Sequence, residues 1–168
     1  VCTEMNLSGG TMKKQNEVDL KAIARDAMKK YGFEPDFPDA VQKEVRDIEE
    51  THPAGEGKDT RDLTGLLWSS IDNYDSMDLD QIEYCEGETG GEVLVRVAIA
   101  DVDYYVRKGC PTDRHASHNG TSVYLGVETF PMLPDKLSKG ISSLLPGGDK
   151  RAMVIEYTVF PDGAVLHG

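Results

Sequence analysis

The segment Glu92 to Ala100 (EVLVRVAIA) puts Val93, Val95, Val97 and Ile99 at every second position, a period that fits a pleated strand and no helix. Such a strand carries unpaired N–H and C=O groups on both edges and needs neighbours to pair them. One neighbour is close at hand: Glu86 to Gly91 (EGETGG) reads as a hairpin connection from a strand at Gln81 to Cys85. Further strand signals lie at Leu66 to Ile71, Ser122 to Gly126 and Met153 to Phe160, with short helical stretches near Thr112 to His118 and Asp135 to Leu145. Ahead of Arg61 the pattern is helical. Asn16 can cap a helix that carries Asp19 in its first turn and sets Leu20, Ile23, Ala24, Ala27 and Met28 on one face until Gly32 stops it. Pro38 can open a second helix with Val41, Val45 and Ile48 facing inward, and His52 to Thr60 (HPAGEGKDT) supplies a loop. The predicted class is α+β, a mainly antiparallel sheet with flanking helices. Residues 1–15 are expected to form a flexible tail, 16–60 a helical segment and linker, and 61–168 the sheet-bearing unit.

At 168 residues the chain can bury roughly 68 to 70 % of its unfolded surface, enough for one core with a short appendage. No apolar run approaches the roughly 18 residues of a membrane span, so no membrane association is expected. Val1 to Glu4 lack the basic-then-apolar pattern of a secretory signal, and Cys2, Cys85 and Cys110 are odd in number, widely spaced and without a C-x-x-C pair. Ordinary thiols, a cytoplasmic location and a monomeric state are the expectation. The net charge of -12 runs against nucleic-acid binding, which calls for clustered Lys and Arg, and by itself suits an acidic soluble domain.

The most informative stretch is Ser70 to Glu83 (SIDNYDSMDLDQIE), where Asp72, Asp75, Asp78 and Asp80 fall within nine residues at the junction of two strands. Carboxylates this close repel, so the cluster is either splayed into solvent or offset by a hard cation with oxygen ligands. Spacing alone leaves both open. An EF-hand is excluded: Asp72 and Glu83 stand at its first and twelfth positions, but Met77 occupies the glycine position, Tyr74 a ligand position, and the flanks are strand-like.

The run DLTGLLWSSIDNYDSMDLDQIEY is similar to the start of the ribonuclease II/ribonuclease R (RNB) catalytic domain, which reads as an apolar strand, T/S-I-D, five residues, then D-x-D-D. VRVAIADVDYYVRKG resembles that family's strand ending in I-A-D-V. DRHASHNGTSVYLG resembles its D-R-E-A…G-T-S-V-Y stretch, and FPMLPDKLSKGISSLLPG its P-M-L-P…L-S…S-L segment. The matches run in order over about residues 61 to 165. The resemblance implies that 61–168 is the N-terminal part of an RNB catalytic domain, with Asp72, Asp78 and Asp80 as magnesium ligands and Asp78 and Asp80 as catalytic residues, Asp80 foremost. Magnesium suits that set, because it takes oxygen ligands, keeps several waters and can activate one of them against a phosphodiester. Asp75, absent from the family pattern, is expected to face solvent. Gln81 departs from the motif: a neutral amide stands where the family has its final Asp.

The same resemblance implies hydrolytic 3′ to 5′ digestion of single-stranded RNA to nucleoside 5′-monophosphates, with a catalytically weak RNA-binding relative as the alternative that Gln81 and the acidic balance motivate. Because the family's catalytic domains supply further basic residues downstream, the 168-residue chain alone is expected to be nearly inactive. Tyr124 would by itself read as a core tyrosine on a strand, and the family match makes it a base-stacking residue near the RNA 3′ end. His115 and His118 read as surface histidines. Asp101 reads as a structural hydrogen-bonding residue. Arg107, Lys108, Arg114, Lys136, Lys139, Lys150 and Arg151 form either a basic track for the RNA backbone or scattered solvated charges.

Overall fold

A computed structural model describes residues 18–48, 60–87 and 89–167. In chain order the elements are helices α1 (Leu20–Lys30) and α2 (Asp39–Asp47), strands β1 (Gln81–Gly87) and β2 (Val93–Ala100), helix α3 (Pro111–Asn119), strands β3 (Val123–Tyr124) and β4 (Thr129–Phe130), and strands β5 (Ala152–Val159) and β6 (Val165–His167). The fold is α+β. Four strands form one antiparallel sheet in the order β1-β2-β5-β6, and β3 and β4 form a separate short hairpin. The glycine-rich connection between β1 and β2 is as the sequence implies: Gly90 (φ 110°) and Gly91 (φ 85°) adopt backbone angles that L side chains rarely accept, and the register runs from Gln81↔Ile99 to Gly87↔Val93.

The period of two in β2 is present, and at the end of the strand the small Ala98 is buried while the bulky Ile99 is exposed. Ala98 is 2 % exposed and packs with Leu79, Leu144, Trp68, Ile82, Ala152 and Val154, whereas Ile99 is 42 % exposed beside Met153 (65 %). Small side chains suit Ala98 and Ala100 because a loop carrying Trp68 packs directly against them. That loop corrects another expectation: Leu66 to Ile71 is not a strand. It turns early, with Leu66 N–H donating to Leu63 O and the Trp68 indole N–H to the same carbonyl, and it pairs with β1 only through a bridge at Ser69↔Glu83. Trp68 thereby plugs the sheet, and Leu67 and Ile71 stand 88 % and 89 % exposed.

Helix α1 is capped by Asp19, whose carboxylate accepts from Ala22 N–H at 2.9 Å; Asn16, the expected cap, lies outside the described residues. Its core contact is narrower than the apolar stripe suggests. Ala24 and Met28 pack against Phe130, Phe33 and Val123, and Leu20 and Ile23 remain 55 % exposed, because the β3-β4 hairpin offers only a small surface. Helix α2 follows its predicted pattern, with Pro38 at its start and Val41, Val45 and Ile48 packed against Val106 and Leu137. Lys136 donates to the carbonyls of Arg46 and Ile48 and so satisfies the end of α2.

Two polar ties join the helices. Glu44 on α2 accepts from Thr112 N–H (2.8 Å) and Thr112 Oγ (2.6 Å) in the first turn of α3, where a carboxylate also complements the helix dipole. His115 is the second tie and a correction, because it is buried at 5 % exposure instead of lying at the surface. Its Nε2 faces the Asn119 amide N–H₂, which can only donate, so Nδ1 carries the proton and donates to Glu34 at 3.1 Å; the ring also packs on Phe37. His118 is exposed, as expected, and reaches Gly32 O. Gly120 (φ 67°) then ends α3 in the left-handed conformation that glycine accepts readily.

Glu44 is pulled in opposite directions, since burial raises the pKa of its carboxyl while the two Thr112 hydrogen bonds, with the Cys110 thiol and the Arg114 charge, together lower it by more. Its contribution to stability is therefore present above the usual carboxylate range and lost as pH falls through the lowered pKa. Glu44→Ala is expected to destabilise the fold by about 1.5 to 3 kcal/mol near neutrality. Urea unfolding at neutral and strongly acidic pH checks this, and the gap between parent and variant should shrink on acidification.

Candidate metal and RNA site

Residues 70–80 join the Ser69 bridge to β1 without regular structure, yet their last part is tightly held. Leu79 is buried at 9 % exposure and anchors the segment in the sheet core. Its N–H donates to Ser143 Oγ at 3.0 Å, its C=O accepts from Leu144 N–H at 2.9 Å, and Asp80 C=O accepts from Ala100 N–H at 2.9 Å. Ser143 also donates its own hydroxyl proton to Met77 O at 3.0 Å. A turn closes the distal part, with Ser76 N–H donating to Asn73 O.

The carboxylates are set on this frame. Asp72, Asp75 and Asp80 are exposed and Asp78 is half-buried. Asp80 has its carboxyl pushed above the ordinary range, first by surrounding protein that removes water and then by the charges of Asp78 and Asp72. The three expected ligands thus share one electrostatic neighbourhood, and Asp75 does not enter it. Among the described residues no three His, Cys, Asp or Glu side chains form a ready-made metal cage. Magnesium does not require one, since it is usually held by one or two carboxylates with waters and substrate phosphates. The all-oxygen donor set and the repulsion felt by Asp80 fit such a cation. Gln81 opens β1 with its backbone paired opposite Ile99, a place that the ladder holds whatever the side chain.

Tyr124 is not a core residue. It is 66 % exposed, and its hydroxyl donates to Asp78 Oδ2 at 2.8 Å, an interaction that raises the phenol pKa. The β3-β4 hairpin thus delivers an exposed aromatic ring to the edge of the acidic segment. Asp101 has the structural role expected of it, accepting from Tyr104 N–H at 3.3 Å at the start of a short 3-10 turn and facing Arg151 at 3.6 Å.

Most of the candidate basic residues are engaged locally. Lys136 and Lys150 donate to backbone carbonyls, Arg114 to Gly109 O, Lys139 pairs with Asp135, and Arg151 lies over the Tyr104 ring. The residue that sequence reasoning passed over is Ser143, which carries no chemical signature and appears only as part of an S-S-L-L run.

Because the folded state disfavours the Asp80 anion, folding is hindered as pH rises through the raised pKa, and the penalty persists at neutrality. Asp80→Asn should therefore raise the thermal unfolding midpoint near neutral pH, with the gain vanishing below the carboxylate range. Melting curves across that range test the electrostatic account.

Residues 60–168 match the RNB domain family. The chain is 43 % identical over 127 residues to ribonuclease R of Escherichia coli (strain K12), an alignment covering 76 % of this chain and 16 % of that protein. It is 39 % identical over 137 residues to ribonuclease R of Aquifex aeolicus, covering 81 % and 19 %. The chain thus spans under a fifth of the length of these curated relatives. Among solved structures, Mycoplasma genitalium RNase R in complex with ribose-methylated single-stranded RNA superposes with a TM-score of 0.79 at 29 % identity, over 88 % of this chain and 23 % of that one. The same enzyme with double-stranded RNA gives 0.77. This likeness covers more of the chain than the stretch matched by the family. By its match over most of its length and by its fold, the chain belongs to the RNB domain family.

Proposed function

We propose that this chain is the acidic part of a magnesium-dependent 3′ to 5′ exoribonuclease that hydrolyses single-stranded RNA to nucleoside 5′-monophosphates. The observation that carries the reading is the Tyr124 to Asp78 hydrogen bond, which brings an exposed ring and a repelling group of carboxylates to one spot. A base can stack on such a ring whatever its identity, for about 1 to 3 kcal/mol, and its terminal phosphodiester then lies against oxygen ligands. Asp72, Asp78 and Asp80 would hold the cation, which when bound supplies an activated water and neutralises charge on the phosphate. Asp78 and Asp80 are the catalytic pair, and Tyr124 orients Asp78 through its hydroxyl while holding the RNA end. Free Cys85 and Cys110 suit a reducing compartment such as the cytoplasm.

A second reading, a weakly active RNA-binding relative, is favoured by Gln81, which cannot lend a charge to the cation. The two separate on one measurement. In a chimera whose residues 60–168 replace the matching segment of the Escherichia coli enzyme, magnesium-dependent release of mononucleotides from end-labelled RNA supports the first reading, and RNA binding without release supports the second.

In that chimera Asp80→Asn should abolish release, by at least about 10²-fold, with RNA affinity retained, because shape is kept and charge is lost. Undiminished turnover would remove Asp80 from the site. Tyr124→Ala should change the length of the final product more than the rate of the chemical step, and an unchanged product ladder would end its role at the RNA terminus. The isolated 168-residue chain should release almost nothing, since the cations needed to stabilise a phosphate in flight are mostly engaged elsewhere. Robust release by the purified chain would overturn that expectation.

A further inference from the structure

Ser143 is 1 % exposed, among the most deeply buried side chains of the described residues, and it is polar. A hydroxyl placed there needs partners, and both of its partners are backbone groups of the acidic segment. Oγ accepts from Leu79 N–H at 3.0 Å and donates to Met77 O at 3.0 Å, so one atom grips the peptides on either side of Asp78. The next residue continues the grip, with Leu144 N–H donating to Leu79 O at 2.9 Å. Residues 77–79 lie in no strand and have no ladder of their own, so their backbone is held by these bonds, beside the packing of Leu79 and the Tyr124 hydroxyl on the Asp78 side chain. Ser142, the adjacent buried serine, does something different: its hydroxyl donates to Leu137 O at 2.9 Å and touches no part of the acidic segment.

We infer that Ser143 is a positioning residue for the acidic centre: its hydroxyl sets where the Asp78 carboxylate stands relative to Asp80, and through that the affinity of the centre for a divalent cation. The inference rests on the reading of Asp72, Asp78 and Asp80 as cation ligands. Loss of the hydroxyl leaves the buried Leu79 N–H and the part-buried Met77 carbonyl without this partner, so the segment must shift for the Leu79 N–H to be satisfied. A shift of the backbone on both sides of Asp78 moves its carboxylate. Residues that hold metal ligands in this indirect way commonly affect affinity by about 10 to 100-fold.

The test uses the 168-residue chain with Mn²⁺ as the probe, the free ion being counted by electron paramagnetic resonance, together with thermal unfolding and amide hydrogen exchange. Ser143→Ala should weaken Mn²⁺ binding by about 10-fold or more and speed exchange of the Leu79 amide. Ser143→Thr, which keeps the hydroxyl, should recover much of the affinity. Ser142→Ala should lower the unfolding midpoint and leave Mn²⁺ binding as in the parent, which separates positioning from general loss of stability. A parent chain that binds no Mn²⁺, or an Asp80→Asn variant that binds it unchanged, overturns the cation reading and this inference with it. Normal binding by Ser143→Ala, where Asp80→Asn binds weakly, overturns the inference alone, as does an equal loss in Ser142→Ala.

Discussion

The arrangement of this domain turns on carboxylates that repel one another and are nevertheless kept together. Asp80 is partly desolvated by the protein around it and feels the charges of Asp78 and Asp72, and a chain free to move would spread them. Four hydrogen bonds to its backbone prevent it, one at Met77, two at Leu79 and one at Asp80, each running to an element that is itself anchored: the end of β2 or the buried Ser143–Leu144 pair. Leu79 adds an apolar anchor between two acidic neighbours, packed with Ala98 and Leu144. The sheet core therefore acts as the vice in which the acidic segment is clamped, and the small size of Ala98 and Ala100 follows from the need to let that segment and Trp68 approach the sheet closely.

The other face of the same sheet is differently built. Ile99, Met153 and Ile155 occupy paired positions on β2 and β5, where Ile99 stands opposite Met153, and all three are more than two-fifths exposed, as is Val165 on β6. One side of the sheet is thus packed and carries the acidic segment, and the other presents apolar surface to solvent. The division explains why the strand period in β2 was readable and the direction of its core was not. Alternation reveals which residues share a face, whereas the choice of buried face depends on what packs there, and at the end of β2 the small Ala98 is buried and the larger Ile99 open.

Local signals were legible where local physics decides the outcome. Pro38 followed by Val41, Val45 and Ile48 yields α2, and the glycines of the β1-β2 connection yield the hairpin, because caps, turns and periodicity act within a few residues. Leu66 to Ile71 was misread since an apolar run of that length fits a strand or a plug, and the Leu63 to Trp68 turn that selects the plug is closed by an indole N–H that no pattern encodes. His115 appeared polar and therefore external, yet Asn119 and Glu34, four and 81 residues away, satisfy both ring nitrogens and allow burial. In the candidate site the carboxylates stood out by their density and family resemblance, and Tyr124 by resemblance alone; their proximity was not legible, because the hydrogen bond that joins Tyr124 to Asp78 spans 46 residues.

Ser143 marks the furthest limit of such reading. A serine in a run of serines and leucines carries no charge, titrates nowhere and binds no metal, and its contribution arises only because the fold returns it, 64 residues later, to the one peptide N–H that follows Asp78. The same logic bears on Gln81. Its backbone position is dictated by the β1-β2 ladder, so exchange of a carboxylate for an amide there leaves the frame undisturbed and alters only the charge carried at that position. Frame and charge are thus separable in this domain: hydrogen bonds from β2 and from residues 143–144 hold the acidic segment in place, and the number of carboxylates it carries can vary on that fixed support.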